Sequence, residues 1–170
     1  MAKLPIVKLP DPILRQPSAL VERVDDETRQ LADDMLQTMY AAPGVGLAAV
    51  QVGVLRRLVV IDVADDDDQP NPLVLINPQI VDFGPKLRLH EEGCLSIPDT
   101  LVEIERPGTL TLDYVDRDGK AQQLEAEGLL ATAIQHEVDH LDGKLIIDFL
   151  SSLKRNMVVR RFKKQARVAD

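Results

Sequence analysis

Apolar residues first settle into a helical rhythm at Leu31, Met35 and Met39, four apart, with Leu36 widening the stripe. Asp25 or Asp26 stands where a helix N-cap belongs, Glu27 suits the first turn, and Pro43-Gly44 ends the element. Such a methionine stripe can be a binding groove, but core packing is its ordinary use. The rhythm then changes. Leu55 to Val63 is rich in Val, Ile and Leu and reads as a buried strand. Leu73–Ile76 and Gln79–Phe83 read as short strands on either side of Asn77-Pro78, and Lys86 to His90 alternates as another. Leu101 to Glu105 also alternates. Thr109–Val115 and Lys120 to Glu125 flank Asp116-Arg117-Asp118-Gly119, which predicts a hairpin. Helical spacing returns between Gly128 and Gly143 through Leu130, Ala133, Ile134 and Leu141, with Gly143 placed to cap. A last amphipathic helix runs through the tail, from Ser151 to Arg167, on Leu153, Met157, Val158 and Phe162. Residues 1–24 are Pro-rich and are expected to wrap the surface. Strands followed by a helix argue for α+β rather than a parallel βαβ fold. The expectation is mainly antiparallel strands around the 128–143 helix, with N-terminal and C-terminal helices flanking them.

Composition narrows this picture. The 170 residues suit one domain, 1–170, with a sizeable core, and 45% apolar with 28% charged is globular composition. A net charge of -8 makes the chain as a whole a poor DNA binder. The tail is the exception. Lys154, Arg155, Arg160, Arg161, Lys163, Lys164 and Arg167 form a basic face, either simply solvated or docked on an anionic partner such as ribosomal RNA. Ala64 to Pro72 carries four aspartates but lacks the spaced ligands and glycine of a calcium loop, so it reads as a solvated loop. A single cysteine excludes an internal disulfide framework. Prolines interrupt the N-terminal apolar pieces, and no run reaches the length of a membrane span. The expectation is a soluble, cytoplasmic protein with no membrane association.

The chemistry concentrates in His136-Glu137-Val138-Asp139-His140. Residues four apart share a helix face, so both imidazoles can reach one metal ion, with Glu137 beside it as a candidate general base. The plainer alternative is two surface histidines among acids, but the chain has only 3 histidines. A catalytic site needs a third protein ligand and an open position. Cys94, in a glycine-containing turn after a strand, is one candidate, and His90 is another. The segment Gly44-Val45-Gly46-Leu47-Ala48-Ala49-Val50-Gln51 is no dinucleotide fingerprint. It lacks the third glycine and follows a helix.

Three stretches together resemble the peptide deformylase family: Gly44 to Gln51 as G-x-G-L-A-A-x-Q, Glu92-Gly93-Cys94-Leu95-Ser96 as E-G-C-L-S, and Gln135 to His140 as Q-H-E-x-D-H. The resemblance covers essentially the whole chain to about residue 150. It implies hydrolytic removal of the formyl group from N-formylmethionine at the start of new polypeptides. Cys94, His136 and His140 would hold one divalent metal, ferrous iron in the cell, although zinc, nickel or cobalt also suits these donors. Glu137 would be the general base and then acid, and the Gln51 amide with the Leu95 backbone N–H would stabilise the oxyanion. Val45 and Gly46 would bind an extended peptide by β-augmentation. Leu129, Thr132 and Ala133 would line a methionine pocket, Glu92 and Gly93 would sit at the substrate cleft, and Glu92 would also pair with Arg106. Several relatives carry arginine where this chain has Leu101. The working unit is expected to be a monomer. Two readings compete with this one: a peptidase needing a similar site in an open cleft, and a non-enzymatic protein with a structural metal.

Overall fold

The computed structural model describes residues 2–64 and 67–169. Two of the four aspartates of the acidic loop, Asp65 and Asp66, lie outside the described residues, as does the last residue of the tail, Asp170. Helix α1 spans Asp26–Ala41 and α2 Gly128–Leu141, and α3 runs over Ser152–Ala169. Among the described residues, seven strands lie between or beside them: β1 Gly46–Ala48, β2 Leu58–Ile61, β3 Leu73–Phe83, β4 Leu87–Cys94, β5 Ile97–Pro107, β6 Thr109–Val115 and β7 Ala121–Glu127. All pairings between them are antiparallel. Five strands form one sheet in the order β1-β2-β3-β6-β7, and β4 with β5 forms a separate two-stranded sheet. This is the α+β architecture that the pattern predicts.

Strand β2 shows why its sequence is continuously apolar. All four of its residues are fully buried. Val59 and Ile61 face α2 together with Ala131 and Ile134, while Leu58 and Val60 face α1 together with Met35 and Met39. A central strand covered on both faces needs no polar alternation. The methionine stripe is core. Truncating either buried methionine to alanine would cost roughly 2–5 kcal/mol. Asp25 caps α1 by accepting from Thr28 N at 2.9 Å. Helix α2 ends at Leu141 with Asp142 as its cap, and Gly143 follows at φ +75°. A side chain at Gly143 would also meet the Arg15 carbonyl oxygen at 2.4 Å, so the position needs glycine twice over.

Two expectations need correction. Asn77-Pro78 does not separate two strands: β3 runs through it with a register shift between Ile76 and Gln79. Asn77 sits at φ 51°, and its amide accepts from Val21 N at 2.8 Å and donates to Val21 O at 2.9 Å. A side chain thus supplies the pairing that the bulged backbone loses. Cys94 does not sit in a glycine-containing turn after the strand either. It is the last residue of β4 and pairs with Ile97 across the two-residue turn Leu95-Ser96.

The N-terminal segment does more than wrap. Val7 N donates to Gln51 O at 2.7 Å, Leu9 N to Ser96 O at 2.9 Å, and Ser18 N to Leu141 O at 2.8 Å. One irregular strap therefore stitches together the ends of three stretches that are far apart in sequence.

Candidate active site and metal centre

Helix α2 packs against β1, β2 and β7, which sets its histidine face toward the β4–β5 turn. Cys94 Sγ and one ring nitrogen each of His136 and His140 lie within 4.8 Å of one another. His140 Nε2 is 3.3 Å from Cys94 Sγ. Ligands of a tetrahedral site are roughly 3.5 Å apart for bond lengths of 2.0–2.3 Å, so this pair already has the required spacing. His136 Nδ1 bonds to Glu92 Oε1 at 3.0 Å, which leaves Nε2 as the ring atom free to meet an ion. A thiol and two imidazoles, one of them held by a carboxylate, make a donor set that fits a divalent cation. His90 is on the same face of β4 and lines the cleft, but it is not in this group.

The support beneath His136 is a buried charge network. Arg106 on β5 donates through Nε and Nη2 to Glu92, at 2.6 and 3.0 Å, and through Nη1 to Asp139 at 2.9 Å. Its guanidinium carbon sits 4.8 Å from the centre of the Phe149 ring. Burial acts against the Glu92 charge, but His136 and Arg106 hold its carboxyl below the usual carboxylate range. Both Glu92 oxygens are thus taken up by Arg106 and His136, although the residue borders the cleft. Burial likewise opposes charge on His136, and the Glu137, Cys94 and Glu92 groups outweigh it and raise its pKa. His140 goes the other way: burial and the charges of His136 and Arg106 keep it neutral.

Glu137 stands apart from this network. Its side chain is 4% exposed, and Oε1 is 3.6 Å from His136 Nε2. Oε2 is buried with no hydrogen-bond partner among the described residues. Burial pushes its pKa up to about 7. Gly46 makes the room, since a Cβ there would lie 3.1 Å from Glu137 Cγ.

These groups meet at the foot of a cleft of about 370 Å³. Val45, Gly46, Glu92, Gly93, Leu95, Leu129, Thr132 and Ala133 are on its walls, together with Cys94, His136 and Glu137. Strand β1 is an edge strand: β2 takes one side of it, with Gly46 opposite Ile61. Gln51 lies just behind the wall, 1% exposed. Its Oε1 accepts from Ala48 N at 2.9 Å, and Nε2 donates to Ser96 Oγ at 3.0 Å and approaches Cys94 Sγ at 3.7 Å. Sequence reasoning gave no role to Ser96, Asp139 or Arg88. Ser96 fixes the Gln51 amide, Asp139 shares Arg106, and Arg88 donates to Thr132 Oγ1 at 2.8 Å. Alternation along β4 could have found Arg88, two and four residues before His90 and Glu92 on one strand face.

Similarity to known proteins runs along nearly the whole chain. The family described as polypeptide deformylase matches residues 3–156. The peptide deformylase of Rhizobium meliloti is 58% identical over 163 residues, spanning 96% of this chain and 94% of that protein. The Agrobacterium fabrum peptide deformylase is also 58% identical, over 96% of each chain. Among solved structures, the Ehrlichia chaffeensis peptide deformylase in complex with actinonin superposes with a TM-score of 0.92 at 41% identity, over 97% of this chain and 98% of that one. A Legionella pneumophila peptide deformylase gives 0.89 at 43% identity, over 99% and 98%. With the three motif stretches gathered on one donor set and the match running nearly end to end, this chain belongs to the peptide deformylase family.

Proposed function

We infer that this cleft is where the chain, as a peptide deformylase, removes the formyl group from the N-terminal formylmethionine of new polypeptides and releases formate. The observation that carries the reading is Glu137: a buried carboxylate at the foot of a cleft, one oxygen unpartnered, beside the Cys94, His136 and His140 donors. A divalent cation bound by those three supplies Lewis acidity, acidifying water and polarising a carbonyl. Glu137 accepts the proton of the attacking water. With a pKa of about 7 it can also return that proton to the amine nitrogen as the C–N bond breaks. The Gln51 amide has two hydrogens, one given to Ser96 and one on the Cys94 side. That second hydrogen and the Leu95 backbone N–H meet the charge developing on the formyl oxygen. Val45 and Gly46 take the peptide backbone as an added strand on the open edge of β1. The methionine side chain lies against Leu129, Thr132 and Ala133, with Gly93 at the opposite rim. Glu92 keeps His136 aimed.

The cellular ion in this reading is ferrous iron; metal analysis of protein purified without oxygen identifies it. The exposed basic residues of α3 dock on ribosomal RNA, while Phe162 and Val158 anchor the helix to the body. The unit is a cytoplasmic monomer, with 1–170 as one catalytic domain.

The test separates the proton carrier from the ligands. Glu137→Gln keeps nearly full metal content while kcat falls on the order of a hundredfold or more. Cys94→Ala loses metal and activity together. Metal loss in Glu137→Gln, or near-normal turnover with metal present, would overturn the mechanism. Internal cleavage of a formylated peptide in place of formate release would point to a peptidase.

A further inference from the structure

Thr132 is 4% exposed, yet it lines the cleft between the apolar side chains of Leu129 and Ala133. Its hydroxyl oxygen accepts from Arg88 Nη1 at 2.8 Å. Threonines inside helices commonly give their own proton back to the carbonyl four residues earlier. Thr38 on α1 does so, to Asp34 O at 2.7 Å. Thr132 makes no such bond among the described residues; the one it receives from Arg88 is the one it has. Its proton is therefore free to be donated into the cleft that the residue lines. A donor bond from a charged guanidinium fixes the oxygen and polarises the O–H. Between the apolar Leu129 and Ala133 this is an oriented donor with no acceptor among the described residues.

We propose that Thr132, held by Arg88, reads the sulfur end of the substrate's first side chain, and that the pocket accepts methionine sulfoxide as well as methionine. This rests on the pocket assignment made above. A thioether sulfur is a weak acceptor. Its sulfoxide has the same unbranched skeleton and a strong acceptor oxygen, and it is the common oxidation product of methionine. Norleucine fills the same space with no acceptor. A purely apolar pocket would reject the sulfoxide, because its oxygen would be buried unpaired. A donor at Thr132 removes that penalty, so chains that begin with an oxidised initiator residue are still deformylated.

The test compares kcat/KM on four formylated tripeptides that differ in the first residue: methionine, methionine sulfoxide, norleucine and alanine. The metal-loaded full chain turns over the sulfoxide at least as well as norleucine. Thr132→Val keeps the shape and deletes the hydroxyl, and the sulfoxide-to-norleucine ratio falls about tenfold, the size of one lost hydrogen bond. Arg88→Met lowers the same ratio, because the hydroxyl loses the group that fixes it. A wild-type enzyme that takes norleucine but rejects the sulfoxide refutes the proposal, as does an unchanged ratio in Thr132→Val. If that variant does not fold, the wild-type ratio alone decides. Equal turnover of formyl-alanine and formyl-methionine is a different failure: it removes the pocket assignment itself.

Discussion

Replacing Glu92 with glutamine tests the link between the buried charges and the metal. The side chains of Glu92 and Arg106 are 3% and 7% exposed, and Glu92 also holds His136 Nδ1. Glutamine keeps the volume and removes one negative charge. Stranding a buried charge completely costs about 3–5 kcal/mol. Arg106 would keep Asp139, whose side chain is 23% exposed, so the loss here is smaller, about 2–3 kcal/mol. For a chain of this size that lowers Tm by about 4–12 °C. Metal affinity falls by roughly 10- to 100-fold, because His136 loses the carboxylate that orients it. The pH dependence has a definite sign. The folded carboxyl titrates below its ordinary value of 4.5, so the stabilisation is present above that value and is lost as pH falls through the folded pKa. The Tm gap between wild type and Glu92→Gln should therefore be full at pH 7 and shrink in acid. Circular-dichroism melts of chelated protein and competition against a chromophoric chelator give the two numbers. An unchanged Tm together with unchanged metal affinity would refute the reasoning, and a gap that widens in acid would refute the sign.

Two further tests probe other parts of the molecule. Burial and a 2.6 Å hydrogen bond to Asp62 push the Tyr40 hydroxyl up to about 12, and burial also raises Tyr114; the chain has 2 tyrosines and no tryptophan, so ultraviolet titration should show little phenolate at pH 10 and more of it in Asp62→Asn, and full ionisation near 10 in the folded wild type contradicts this. Replacing Arg160, Arg161, Lys163 and Lys164 on α3 by glutamine should weaken ribosome binding and flatten its salt dependence while sparing turnover of short peptides, and unchanged binding would end the docking idea.

The elements that the sequence displayed were those made by local periodicity. The stripe at Leu31, Met35 and Met39 and the run through Ile134 and Leu141 are helical because one face of each is buried, and their spacing says so directly. The β6–β7 hairpin announced itself through Asp116 and Gly119, the latter at φ 82°. What failed depended on a partner far along the chain. Asn77-Pro78 looks like a strand break because proline removes a ladder donor. The strand survives because Asn77 bonds to both backbone groups of Val21, 56 residues earlier. Nothing local to Pro78 reports that. The strap contacts of Val7, Leu9 and Ser18 are backbone bonds, which leave no trace in side-chain pattern.

The third ligand shows the same limit inside the site. Cys94 and His90 share one face of β4, four residues apart, and a strand rises about 3.3 Å per residue. They are therefore separated by roughly 13 Å along the strand, and one ion cannot take both. Alternation puts both side chains on the correct face and cannot choose between them. The choice is made by where α2 crosses the strand, and that is fixed by packing on β1, β2 and β7. The crossing brings His140 to Cys94 and leaves His90 elsewhere on the lining of the cleft. One strand face thus serves two chemistries: its end supplies the thiol beside the imidazoles and Glu92 to orient His136, and its start supplies Arg88 to hold Thr132. Moving the crossing by four residues along β4, a shift of about 13 Å, would be needed to put His90 beside the imidazoles and the thiol away from them. Which of the two residues can join the imidazoles in holding an ion is therefore a property of helix–sheet packing, even though both residue types were visible in the chain.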